Sequence, residues 1–318
     1  MSETAAVTGA TGFLGTHLCE RLLEEGWDVH ALARPTSDRG DLEGIDWYVG
    51  DLFDGETLRS LVDGADAVFH LAGVGLWSAD PDTVVRVNRD GTANVLEACR
   101  AEDVGRLVFT STAGTRRADD GAFADETAVA DPIGAYQEGK AAAERLVDHY
   151  AAADGDAVIV HPTSVFGPGD DSFTGQLLAM GLEPTMPATL PGGASIVGVS
   201  DVVDGLLLAY ERGDSGEHYL LGGENMSYDR AAERIADYAG GVPAPVRVPA
   251  TAIRAAGPVA EGVHAVTGQR IFPFDRGMAA LATKQLFYSS RKAREELGYE
   301  YGSLEDHLPE TIAWYRRQ

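Results

Sequence analysis

Tyr136 and Lys140, four residues apart in GAYQEGKAAAERL, are the pair in this chain best suited to proton chemistry. The 318 residues hold three lysines against 22 arginines, so a lysine kept here has work that a guanidinium cannot do. Positions four apart share one face of a helix. An isolated phenol titrates at about pH 10. A neighbouring ammonium favours the phenolate and draws that value toward neutrality, where the phenol can give or take a proton. A hydroxyl partner comes from the strand-like VFTSTAGT, where Thr112 is the first candidate and Ser111 the second, to orient a substrate oxygen. Asn88, in VNRDGTANVLEAC, either supports the lysine through water or serves helix packing.

Such groups need a rigid frame, and the first half of the chain supplies the pattern of one. Apolar strands alternate with helical periods, the signature of a parallel sheet. AAVTGA, DVHALAR, IDWYVGD, DAVFHLAG, RLVFTST and DAVIVHP read as strands, and 12–25, 56–62, 81–102 and 134–153 as helices. Beyond Val165 the alternation weakens. VFGPGDDS reads as a loop, SIVGVSD and EHYLLGG as strands around a helix over 202–212, 229–239 as a helix, and the rest as mainly helical. The expected fold is α/β, a Rossmann-type doubly wound parallel sheet with a smaller, mainly helical C-terminal lobe over its carboxyl edge. The expected division assigns 1–165 and about 196–225 to a dinucleotide-binding domain, and about 166–195 and 226–318 to a substrate-binding lobe.

The first strand meets the first helix at VTGATGFLGTHLCERLLEEG, where Gly9, Gly12 and Gly15 are spaced G-x-x-G-x-x-G. Two glycines permit a tight turn and close approach of a pyrophosphate, and the third permits helix–strand packing. The helix amino end offers unpaired N–H groups to the phosphate. At the end of the second strand, where an acid would favour NAD, stand Ala33 and Arg34. Arg34 could pair with a 2′-phosphate, assisted by Thr36 or Ser37, so NADP(H) is favoured and NAD(H) remains possible. Asp51 and Leu52 close the third strand where an adenine could rest. Asp51 either accepts from the adenine amino group or caps the following turn.

Net charge is −25, the wrong sign for binding nucleic acid through a general field. Acidity with scarce lysine suits a protein kept soluble in a very salty cytosol. No apolar run approaches a membrane span, and a strand begins almost at once, so neither membrane nor signal peptide is expected and the location reads as cytoplasmic. Cys19 and Cys99 sit in helical patterns and read as buried thiols; no metal site is expected.

TGATGFLG, HLAG, VNRDGTANVL, VFTSTAGT, YQEGK and HPTSVFGPGD follow in order the pattern of the extended short-chain dehydrogenases/reductases. The chain resembles that superfamily over essentially its whole length, and its dihydroflavonol-4-reductase-like branch most through LARPTSD, LWSADPD and YLLGGENMSY. The resemblance implies a nicotinamide dinucleotide at Gly9, Thr11, Gly12, Phe13, Leu14 and Gly15, and a hydroxyl–Tyr–Lys triad of Thr112, Tyr136 and Lys140. It places Ala72 and Gly73 beside the cofactor and Pro162, Thr163 and Val165 at the nicotinamide. It implies a small-molecule substrate acted on by hydride transfer at a carbonyl or secondary alcohol, and a homodimer through the two long helices. A sugar epimerase/dehydratase is the alternative, and a non-enzymatic dinucleotide sensor the third. Two departures bear on this. GGASIVGVSDVV lacks the arginine that a nucleotide-sugar diphosphate would want, and His161 replaces the usual arginine before Pro162, as a substrate contact or a satisfied strand-end residue. Trp77 either lines a substrate pocket or packs its loop, and GLEPTMPATLPGG is expected at the substrate rim. Arg116 and Arg117 either attract an acidic substrate or pair with Asp119 and Asp120, and His70 reads as a core residue.

Overall fold

Along β1 (Thr4–Thr8) the side chains of Ala5 and Val7 enter one apolar cluster and that of Ala6 another. The same alternation recurs in β5 (Arg106–Thr110), with Val108 opposed to Leu107 and Phe109, and in β6 (Ala157–Pro162), with Val158 and Val160 opposed to Ala157 and Ile159. A period of two with both faces apolar requires cover on both faces. Helix α1 (Phe13–Glu24) and the helix Val199–Arg212 cover one face; α2 (Gly55–Val62), α3 (Pro81–Ala101) and α4 (Ala135–Ala152) cover the other. The computed structural model describes residues 2–40, 42–75, 80–118, 122–170, 188–240, 246–268 and 276–317. Among these no helix is long and apolar enough to cross a membrane.

With β2 (Asp28–Ala33), β3 (Ile45–Val49), β4 (Ala67–His70) and β9 (His218–Leu221), the sheet has seven parallel strands in the order β3-β2-β1-β4-β5-β6-β9. The connections reverse direction between β1 and β4, which opens a crevice at the carboxyl ends of these strands. Helix starts are set locally. Asp54 caps α2 by accepting from Thr57 N at 3.1 Å, and Asp80 caps α3 by accepting from Thr83 N at 3.0 Å with Pro81 in the first turn.

A second sheet is built around β8 (Gly193–Gly198). It pairs in parallel with β7 (Ser164–Phe166) and β11 (Gln285–Leu286), and antiparallel with β10 (Glu224–Ser227). The helices Tyr228–Ala239 and Leu304–Tyr315 close its core around Phe166, Ile196, Met226, Ile235 and Leu308. Three details differ from the sequence expectation. The start of VFGPGDDS belongs to β7 rather than to a loop, β10 and β11 had no counterpart in the reading, and the helix expected over 202–212 begins at Val199. Strands of two to four residues carry too little alternation to show a period, and β8 supplies their register.

Candidate active site

The glycine turn forms at the carboxyl end of β1. Gly9 has φ +81°, and a Cβ there would fall 2.6 Å from Ala72 N; a Cβ on Gly15 would fall 2.0 Å from the Gly9 carbonyl oxygen. These two glycines therefore let β4, the turn and α1 close on one another. A Cβ on Gly12 would meet only the Gly9 oxygen, at 3.2 Å, so the space beyond it is open. Gly12 caps α1 without a side-chain bond, and the first turn holds no acidic residue. The N–H groups of Phe13, Leu14 and Gly15 thus keep the positive end of the helix dipole available to an anion. The Phe13 ring packs edge-on against His17, whose Nε2 donates to the Pro168 carbonyl at 2.8 Å, so the loop after β7 lies beside this turn.

Beside the turn a chain of hydrogen bonds fixes the exit of β4. Ala72 N donates to Thr8 Oγ1 at 3.3 Å, and Thr8 donates to His70 Nδ1 at 2.6 Å. His70 Nε2 donates to Thr92 Oγ1 at 2.9 Å, and Thr92 donates to the Asn88 carbonyl at 2.7 Å. His70 is fully buried, and burial, aided by Lys140, pushes it down to about 3, so this donor order holds with a neutral ring. Asn88 spends its amide on backbone: Nδ2 donates to Val74 O and Val84 O, both at 2.9 Å, and Oδ1 accepts from Val74 N at 3.1 Å. It clamps the Gly73–Val74 backbone against α3. A Cβ on Gly73 would fall 2.6 Å from Asn88 Oδ1 and 3.3 Å from Lys140 Nζ, so Ala72, Gly73, Asn88 and Lys140 share one neighbourhood.

Lys140 is buried; its Nζ donates to the Thr110 carbonyl at 2.8 Å and lies 5.0 Å from the centre of the Phe109 ring. Burial lowers it to about 8, and the carboxylate of Glu144 acts in the opposite sense. Tyr136, in the first turn of α4, is half-buried. The Thr112 side chain is its hydroxyl neighbour. Burial raises the phenol above its ordinary value, Thr112 partly offsets this, and Glu144 adds to the rise. The expectation that Lys140 draws the phenol down is corrected here, because burial outweighs the other influences on it. The two hydroxyl candidates part company. Thr112 meets Tyr136, whereas Ser111 is buried and donates to Glu144 Oε1.

Arg34 is exposed, and among the described residues its guanidinium has no ion pair. Asp51 caps its own turn, its Oδ1 accepting from Phe53 N at 2.7 Å, and the Leu52 side chain packs into the core against Gly91. At the end of β6, Pro162 is buried and Thr163 N donates to the Leu221 carbonyl at 3.2 Å; Val165 lies on β7. Thr110 Oγ1 and Thr163 Oγ1 are buried and have no hydrogen-bond partner among the described residues. Unpaired buried hydroxyls at the ends of β5 and β6, with the open turn at Gly12, fit a polar ligand laid across the crevice. Trp77, Asp119, Asp120 and residues 181–187 lie outside the described residues.

Sequence reading missed the group on the far side of α4. Arg116 is buried and ion-paired to Glu144, with Nη1 2.9 Å from Oε2. Arg117 donates to the Asp131 carbonyl at 3.1 Å. His161 is fully buried and stacked on His218, with ring centres 5.1 Å apart. Glu144, His161 and His218 converge within 4.8 Å as metal ligands would, but Arg116 Nη2, 3.0 Å from His218 Nδ1, is already the cation among them. One signal was legible: Glu144 stands on the same helical stripe as Lys140 and Val147, where an apolar residue is the norm. Cys19 and Cys99 are free and buried, and burial pushes both thiols up to about 12.

Comparison with known proteins places the chain in a family and agrees with its fold. The profile of the NAD dependent epimerase/dehydratase family matches residues 5–222. A protein of Synechocystis, provisionally named a dihydroflavonol 4-reductase, is 34% identical over 99% of this chain and 95% of its own. Cinnamoyl-CoA reductase 2 of Arabidopsis thaliana is 29% identical over 93% of this chain and 94% of its own. The crystal structure of gox2253 superposes with a TM-score of 0.87 at 34% identity, covering 100% of this chain and 98% of that one.

Proposed function

The chain belongs to the NAD dependent epimerase/dehydratase family, within the extended short-chain dehydrogenases/reductases, and from that premise we propose that it is an NADP(H)-dependent oxidoreductase acting on a carbonyl or secondary alcohol of a small molecule. The observation that carries the reading is the convergence of Thr112, Tyr136 and Lys140 beside the glycine turn and the β4 exit. In this reading the N–H groups of Phe13, Leu14 and Gly15, with Thr11 and the open turn at Gly9 and Gly12, hold the pyrophosphate. Arg34 holds the 2′-phosphate, and Asp51 and Leu52 flank the adenine. Ala72, Gly73 and Lys140 hold the nicotinamide ribose, and Pro162, Thr163 and Val165 border the nicotinamide. A bound dinucleotide supplies the hydride chemistry.

The protein's own share is binding and proton handling. Thr112 donates to the substrate oxygen and fixes its position. Tyr136 gives that oxygen a proton in reduction, or removes one in oxidation. A phenol held above its ordinary value keeps its proton until the substrate oxygen gains charge, which suits a proton donor. Lys140 places a positive charge one helical turn from the phenol and offers donors to ribose hydroxyls. The relatives' names favour reduction over epimerisation, since both are named reductases. The segment Gly193–Gly198 is buried and carries no guanidinium, unlike a site for a sugar diphosphate.

Tyr136→Phe tests the assignment. Consumption of NADPH with a panel of aldehydes and ketones should fall by about 100-fold or more, the usual worth of a positioned acid. Stabilisation of the variant by NADPH in a thermal scan should persist, because the phenol is not asked to bind the cofactor. Undiminished turnover would remove Tyr136 from the mechanism. A UDP-sugar that stabilises the protein, with a dinucleotide retained through purification and no net NADPH consumption, would favour the epimerase reading instead.

A further inference from the structure

Glu144 follows Lys140 by one helical turn and Tyr136 by two, and it is 5% exposed. Its Oε1 accepts from Ser111, and its Oε2 accepts from Arg116 Nη1 at 2.9 Å. Arg116, 3% exposed, also donates from Nε to the Glu126 carbonyl at 2.8 Å, from Nη1 to Thr115 Oγ1 at 2.9 Å, and from Nη2 to His218 Nδ1 at 3.0 Å. His161 Nδ1 donates to the Thr112 carbonyl at 3.2 Å, and His218 Nε2 donates to Asp148 Oδ1 at 2.9 Å. The segment from Ser111 to Arg116, which carries Thr112, is thereby fastened to α4, β6 and β9 at once. Well-packed apolar residues would fill this volume at least as stably as a buried ion pair, so stability alone does not account for the pair.

We propose that Glu144 is a positioning residue of the reaction centre: its buried carboxylate is the counter-charge one helical turn from Lys140 and, through Ser111 and Arg116, fixes the turn that carries Thr112. This rests on the oxidoreductase reading and deepens it. The charged and titratable groups around the two residues are few. Lys140 faces His70 from β4 and Glu144 from its own helix, and Tyr136 stands one turn before it. Glu144 faces Arg116, His161 from β6 and, beyond them, His218 from β9. Burial opposes the ionisation of Glu144, but the Arg116 guanidinium and the hydrogen bonds from Ser111 and Thr115 hold the carboxyl below its ordinary value. Burial pushes His161 itself down to about 3, so Arg116 is the standing positive charge of the group. Glu144 is in turn the anion that opposes the effect of burial on Lys140. One carboxylate thus acts in the same sense on the lysine and on the phenol, favouring the protonated form of each.

The chain's three lysines make the test direct. With lysine labelled at Cε with carbon-13, the whole protein gives three titrating signals, and Lys140→Arg identifies the one from Lys140. Its midpoint is expected at about 8. In Glu144→Gln, which keeps the shape and an acceptor for Ser111, the midpoint should fall by about one pH unit, as for loss of a neighbouring opposite charge. Arg116→Gln breaks the same pair but leaves the carboxylate, so the midpoint should stay or rise. Should Glu144→Gln fail to fold with Arg116 uncompensated, the double variant Glu144→Gln/Arg116→Gln removes both charges and should show the same fall. An unmoved midpoint when the carboxylate is lost, or equal movement in Glu144→Gln and Arg116→Gln, overturns the proposal. The readout needs no substrate, so its failure is separable from failure of the oxidoreductase reading, which Tyr136→Phe tests.

Discussion

At the end of β2 the guanidinium of Arg34 stands exposed beside the crevice, with no carboxylate paired to it among the described residues. A charge-assisted contact to a 2′-phosphate is worth about 1.5–3 kcal/mol. Arg34→Ala should therefore weaken NADPH binding by about tenfold or more and leave NADH binding nearly unchanged, as measured by fluorescence titration of each. Equal losses for both would mean that Arg34 does not read the phosphate. Arg34, Tyr136 and Lys140 stand out in the sequence because the roles proposed for them depend on local spacing or on the end of a strand. The choice between Ser111 and Thr112 was not, because adjacent residues at a strand end point to opposite sides and either hydroxyl fits the pattern. Only the position of α4 shows that Ser111 meets Glu144 and Thr112 meets Tyr136. The Arg116 partnership was hidden for the same reason, since 28 residues separate it from Glu144 and no periodicity links them.

Among the elements, the helix Leu304–Tyr315 is tied to its neighbours by one arginine as well as by its apolar face. Arg234, on the helix Tyr228–Ala239, donates from Nε to Glu305 at 2.6 Å and from Nη1 to Glu224 at 3.0 Å, while the other Glu224 oxygen accepts from Leu304 N at 2.7 Å. One cluster thus joins two helices to β10. Arg234 holds the Glu305 carboxyl below its ordinary value. A depressed carboxyl contributes stability that is present above its unfolded value, about 4.3, and is lost as pH falls through the lower folded value. Glu305 is 39% exposed, so solvent discounts the contribution. Arg234→Ala should cost about 1–2 kcal/mol, speed amide exchange in 304–315 at pH 7, and differ less from wild type near pH 3. Exchange at the wild-type rate at pH 7 would show that apolar packing alone holds the helix. The long crossover helices were legible from their periods and caps. The small sheet was not, because β7, β10 and β11 are strands only in the company of β8, whose full burial makes it read as a plain apolar run.

Over the whole molecule, 50 acidic residues against 25 lysines and arginines leave a net charge of −25. Individual pairs do attract. Arg21, for example, bridges Glu25 at 2.6 Å and Asp204 at 2.7 Å, tying α1 to the helix Val199–Arg212. An exposed pair of this kind contributes only about 0–1 kcal/mol and weakens in salt. The excess of like charge acts the other way, since compaction brings unpaired carboxylates together and screening relieves their repulsion. The Debye length falls from about 10 Å at 0.1 M to about 3 Å at 1 M, shorter than most spacings between unpaired surface charges but longer than the contact pairs. The repulsive sum is therefore screened more completely than the attractive contacts, and net stability should rise with salt. Going from 0.1 to 1 M KCl should raise the midpoint of thermal unfolding by several degrees, equivalent to about 1–2 kcal/mol for a chain of this size. The rise should be steepest at the low end of the range, where the Debye length changes most. Equimolar NaCl should give nearly the same curve if screening is the cause, whereas a specific site for one cation would separate the two. A midpoint that falls with KCl would mean that the contact pairs, and not the excess of acid, dominate the electrostatics of the folded state.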